Sequence, residues 1–167
     1  MSELHGHTSY LAERCDYIFL PSFMEKKNAS PHIRREYCYY TQYAPAVIRS
    51  CGSLKPSGKI LSPVLRSLAG TFNVKVQLFT MLKSITDGIS FLQVSSAYDG
   101  ALQRFTETRE LLAKTYIKKK SSDDIHVLLL GRPYTVLSPA MNKGIPDMFA
   151  KLGVKVFSMD MIEPEQD

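Results

Sequence analysis

Two places in this 167-residue sequence gather side chains that could do chemistry. The first is Gly131-Arg132-Pro133-Tyr134 followed by Asn142-Lys143-Gly144. Arg132 offers a guanidinium fork that grips a carboxylate or phosphate with two prongs. Lys143 adds a second positive charge, Asn142 suits a helix cap, and free amides around Gly144 could hold an anion at a helix start. Arg132, Tyr134, Asn142, Lys143 and Gly144 therefore form the candidate anion or ligand site. The structural alternative has Arg132 tying its loop to a carboxylate such as Asp16 or Asp160. The second place is Cys38, just ahead of an expected helix, where amide N–H groups and the positive dipole end favour a thiolate or a bound anion.

Cys38 is one of three cysteines, with Cys15 and Cys51, an odd set without paired spacing. That pattern argues against a disulfide framework and for a reducing, cytoplasmic setting. Cys15 and Cys51 read as small buried apolar residues. A cubane iron–sulfur cluster takes about four ligands, usually thiolates. Three scattered cysteines could supply one or two, with Cys38 the metal-ligand candidate and the rest coming from another domain. His5-Gly6-His7 could chelate only in extended chain, because residues two apart do not share a helical face. No dinucleotide-binding glycine fingerprint, Walker-type loop, nucleophile elbow or zinc-protease motif occurs. Self-contained nucleotide or hydrolytic chemistry is not indicated.

The elements that must position these groups follow from hydrophobic pattern. Ile125 to Leu130 is an apolar run without alternation after His126, as expected of a strand covered on both faces of a parallel sheet. A short helix from about Ile145 to Leu152, a turn at Gly153 and a second strand Val154–Phe157 complete a βαβ unit. The loop leaving such a strand's carboxyl end is where ligands sit in open α/β sheets.

Upstream, residues 2–14 suit a helix, and Asp16–Pro21 holds a short strand stopped by proline. Residues 22–35 read as a polar, basic loop, and Pro45 suits the first turn of a helix running to Ser50 and ended by Gly52. Lys59 to Leu65 is a strand interrupted at Pro63. A helical segment spans about 73–118, its long helix running from Ser90 to Lys118. Phe91, Val94, Tyr98, Leu102, Phe105, Leu112 and Tyr116 make its stripe, which reads as core packing. Gly100 costs that helix ~1 kcal/mol against alanine.

The fold expected is α/β: a mostly parallel sheet flanked by helices, Rossmann-like and three-layered, in a single domain over 1–167. The chain reads as an excised fragment of a larger protein. The net charge of +5 gathers at Lys26-Lys27, Arg34-Arg35 and Lys118 to Lys120, beside expected loops, and reads as solvated loop charge rather than a nucleic-acid stripe. No apolar run is long enough for a membrane helix.

Several of these residues occur together, in the same order, in one known group. They are His5-Gly6-His7, Asp16 to Pro21, Tyr37-Cys38, Tyr43 with Pro45 and Ile48, Gly131 to Tyr134, and Asn142-Lys143-Gly144-Ile145-Pro146. The chain resembles the uncharacterised domain that follows the ATPase modules in large CoA-substrate-specific enzyme activases. That domain is similar to subunits of 2-hydroxyacyl-CoA dehydratases and benzoyl-CoA reductases. The resemblance implies an iron–sulfur cluster with Cys38 as a ligand, the Arg132–Gly144 loop as a site wall, and electron transfer with an ATP-driven activator. It also implies partners among the parent protein's other domains or a CoA-ester dehydratase or reductase. This chain departs from the group's pattern with Tyr39 after the cysteine, Thr135 after Arg-Pro-Tyr and Lys143 after Asn142. The alternatives are a cofactor-free interaction scaffold and a module binding a small anion or CoA phosphate.

Overall fold

The computed structural model describes residues 2–26, 35–51, 60–121 and 124–162. Lys27, Arg34, Gly52 and Lys59, all invoked above, lie outside that set. The chain divides into two compact units, Met1–Tyr98 and Asp99–Asp167, each described by itself. Helix and strand are mixed, and the strands pair mostly in parallel, as expected of an α/β chain. Among the described residues they form three small sheets of two, three and two strands.

The first unit opens with α1 (Ser2–Ala12) and β1 (Ile18–Phe19). Residues 22–26, expected as loop, are instead the strand β2 (Ser22–Lys26). β2 pairs antiparallel with β3 (Arg35–Glu36) and parallel with β5 (Val64–Arg66). The local pattern hid this strand, because its charged residues are carried by backbone pairing to distant segments. β4 (Ile60–Leu61) lies parallel to β1, and Ser62-Pro63 separates it from β5 as the proline predicts.

Helix α2 runs Tyr39–Ser50, so Pro45 sits inside it rather than in its first turn. The Thr41 and Gln42 amides donate to the Cys38 carbonyl, and the Gln42 side chain donates to Tyr37 O at 2.6 Å. These bonds start the helix directly after Cys38, as expected, and leave Pro45 in its second turn. Pro45 lacks the N–H that the Thr41 carbonyl would accept, but it is buried together with Ala44 and Ile48. Ile48 is 1% exposed and centres the unit's core, with Ile18, Ile60, Leu65, Val74 and Val94 also buried. Arg49 fixes the far end of α2 by donating to Ile60 O at 3.1 Å and to Ser62 Oγ at 2.5 Å.

The helical segment expected over 73–118 is two helices, α3 (Gly70–Lys83) and α4 (Phe91–Lys119). A turn with Gly88 at φ +82° separates them. α4 starts on a capping box: Gln93 N donates to Ser90 Oγ, and Ser90 N donates to Gln93 Oε1 at 2.8 Å. Phe91 packs against Phe72 and Phe79 of α3, at ring separations of 5.6 and 5.8 Å. The stripe thus packs at this end. It does not pack at its centre, where Leu102 and Phe105 are exposed.

The second unit takes the rest of α4 and the βαβ unit. β6 (His126–Leu129) and β7 (Lys155–Ser158) run parallel, His126 opposite Lys155 and Leu128 opposite Phe157. Between them lie α5 (Pro133–Leu137), α6 (Pro139–Asn142) and α7 (Ile145–Lys151). Phe157 is 3% exposed, with Tyr116 edge-on at 4.9 Å and His126 at 5.5 Å. β6 is not covered on both faces as expected: Leu128 stays 42% exposed, and Ile125 and Leu130 74% each. The physical reason is that β6 has β7 as its one strand neighbour among the described residues. The intervening helices are also too short to blanket the pair. They leave Tyr134, Leu137, Met148 and Leu152 outward as well.

Candidate functional site

The stretch expected as one loop after β6 is built from α5, α6 and their corners. Gly131 begins it, because a Cβ there would meet Val136 Cγ2 at 3.0 Å. Arg132 is the extended residue capping α5, its carbonyl accepting the Thr135 and Val136 amides at 2.8 and 3.0 Å. Its guanidinium is exposed and makes no ion pair with Asp160 or another acid of its own unit among the described residues. Tyr134 is exposed on α5.

Asn142 is a brace. Its Nδ2 donates to Val136 O at 2.9 Å, and its Oδ1 accepts the Gly144 amide hydrogen at 2.9 Å. The two consecutive left-handed residues, Lys143 at φ 55° and Gly144 at φ 72°, turn the chain into α7. Gly144, not Asn142, holds the cap position of α7. The Gly144 amide is therefore already engaged, and Asp147 places a negative charge in the first turn of that helix. What this segment offers a ligand is Arg132, Tyr134 and Lys143, all at the surface.

β7 is fixed to the strand-entry turn by an ion pair between Lys155 Nζ and Asp124 Oδ2. The hydrogen bond and charge of that ammonium hold the Asp124 carboxyl below its ordinary range.

Cys38 lies in the first unit, so it and Arg132 belong to separate bodies. It caps α2 with extended backbone, is exposed, and has its Sγ 3.3 Å from Thr41 Oγ1. Cys51 is the residue at the other end of α2. At a helical rise of about 1.5 Å per residue, the two stand about 20 Å apart, so they cannot ligate one cluster. Cys51 is exposed and Cys15 half-buried, against the expectation that both are sealed in the core. His5 and His7 lie on helical α1, the conformation in which they do not share a face. Among the described residues, no three His, Cys, Asp or Glu side chains gather in a metal-binding group.

One feature is invisible to motif reading. A cleft of about 650 Å³ opens where β2, β3 and β5 meet the start of α2, lined by residues that include Glu25, Glu36, Arg66, Tyr39, Gln42 and Tyr43. Reading 22–35 as loop hid it. Phe23-Met24-Glu25-Lys26 does not alternate apolar with polar, so periodicity carries no strand signal here.

The family profile described as the CoA enzyme activase uncharacterised domain matches residues 1–162, nearly the whole chain. The chain belongs to this family. No curated protein and no solved structure matches the activase domain. No described helix is long and apolar enough to cross a membrane.

Proposed function

We propose that this activase domain is a docking element that engages a redox partner of the 2-hydroxyacyl-CoA dehydratase or benzoyl-CoA reductase type. The observation that carries the reading is the incomplete cover of β6. Ile125, Leu128 and Leu130 remain exposed on and beside a strand whose apolar run suits burial on both faces. Leu128 and Leu130, two residues apart, share one face of this extended segment, and exposed apolar side chains on one face mark an interaction site. In this reading the Rossmann-like three-layer arrangement is completed by the partner or by other domains of the parent activase, in the cytoplasm. Hydrogen exchange tests it: amides of residues 125–130 slow when a dehydratase-type partner is added to the activase. Unchanged exchange there contradicts the reading.

A second reading rests on the exposure of Cys38 at the start of a 12-residue helix. There the thiolate contributes one ligand to an iron–sulfur cluster completed by cysteines from elsewhere. Anaerobic reconstitution gives a broad brown absorbance that Cys38→Ala loses; equal spectra contradict it. A third rests on the exposed Arg132 guanidinium, which has no ion pair within its unit among the described residues and with Lys143 and Tyr134 would hold a CoA phosphate. Calorimetry with CoA at low and moderate salt tests it, and heats unchanged in Arg132→Ala remove it.

A further inference from the structure

Three charged side chains lie in one row across the sheet β3–β2–β5. Glu25 is the register partner of Glu36 on one side and of Arg66 on the other. Glu25 and Glu36, directly opposite on antiparallel strands, share a face where like charges repel. The β2–β5 register shifts between Phe23 and Glu25, and Arg66 joins the two as a lining residue of the same cleft. No ion pair joins Arg66 to either carboxylate among the described residues. Glu25 Oε1 accepts the Leu68 amide hydrogen at 3.2 Å, while no hydrogen-bond donor reaches the Glu36 carboxylate among the described residues.

This row lines the cleft of about 650 Å³, a volume within the range of small-ligand sites. Tyr39 and Tyr43 line it too, their rings stacked at 6.4 Å and 23°. Gln42 also lines the cleft and is 6% exposed. Its Nε2 is committed to Tyr37 O, while its Oε1 is not sealed off and takes no donor among the described residues. Among the described residues the cleft therefore presents two carboxylates against one guanidinium, together with two tyrosine rings.

We propose that this cleft binds a cationic group, guanidinium, amidinium or ammonium, carried on a flat or apolar stem. The cation meets Glu36, Glu25 and Gln42 Oε1, relieving the repulsion between the carboxylates. The stem lies along the tyrosine rings, where a cation is also attracted to the aromatic face. An anionic ligand meets that carboxylate pair instead and is rejected. The inference is independent of the docking surface on β6–β7 and of Cys38.

The test titrates the intact chain with benzamidine and, as its anionic counterpart of like shape, benzoate. Benzamidine shifts the Tyr39 and Tyr43 ring resonances saturably, and benzoate does not. Glu36→Gln, at an exposed position, weakens benzamidine about threefold. Arg66→Met strengthens it by a similar factor, because a competing cation leaves the cleft. No saturable shift with benzamidine, equal binding of benzoate, or a Glu36→Gln variant that binds unchanged overturns the proposal. Two further arms separate the source of the cation. Tighter binding of an arginine-bearing peptide than of agmatine assigns it to a partner protein's side chain, and the reverse order assigns it to a small amine.

Discussion

Asn142 and Gly144 close a two-residue ring: the Gly144 amide hydrogen is accepted by Asn142 Oδ1 at 2.9 Å, while Asn142 Nδ2 holds Val136 O at the same distance. One side chain thus sets the turn that carries Lys143 and ties it back to α5. Asn142→Ala removes both bonds and leaves two partly buried backbone groups without these partners. The expected loss is about 2 kcal/mol, read as a lower urea midpoint. An unchanged midpoint contradicts the bracing role.

Gly100 lies inside α4, and a Cβ there would meet nothing within 4 Å. Gly100→Ala removes backbone freedom from the unfolded chain without a clash, and stabilises by about 0.5–1 kcal/mol. Thermal unfolding by circular dichroism checks it. A lower melting temperature would show that this glycine serves an approach by another surface.

Asp124 carries the one pH dependence that the geometry defines. Its folded pKa is depressed, first by the Lys155 hydrogen bond and then by the Lys155 charge. Stability from this pair is therefore full above the ordinary carboxylate pKa and fades as pH falls through the lowered folded value. In Lys155→Met, Asp124 titrates at higher pH by carbon-detected NMR, and the acid limb of the stability curve flattens. Equal titration in both proteins contradicts the pairing. Both side chains are near the surface, so the effect shrinks with added salt.

How much of this was legible beforehand depended on range. The βαβ unit and the start of α4 were read correctly because their signals are local: an apolar run ending at Gly131, Gly153 at a positive-φ turn, and Ser90 with Gln93 three residues on. β2 was missed because its strand character comes from pairing with segments on either side of it, up to Arg66. α2 begins directly after Cys38 as expected, but Pro45 falls in its second turn because the Gln42 side chain and the Cys38 carbonyl outweigh the preference of proline for a first turn. Arg132, Tyr134 and Lys143 are each exposed, whereas the Gly144 amide is engaged by Asn142. Leu102 and Phe105 carry the periodicity of core positions yet lie open. Periodicity reports that a face is apolar, and not whether this chain supplies the cover.

The same distinction governs β6. Its apolar run predicts two covered faces, and the exposed Leu128 locates where cover is lacking. The most direct measurement is the affinity of the activase for a dehydratase- or reductase-type partner, compared between wild type and Leu128→Asp with circular dichroism confirming equal folding. The docking account predicts a loss of at least about tenfold, or ~1.4 kcal/mol. Equal affinity in two equally folded proteins would contradict it.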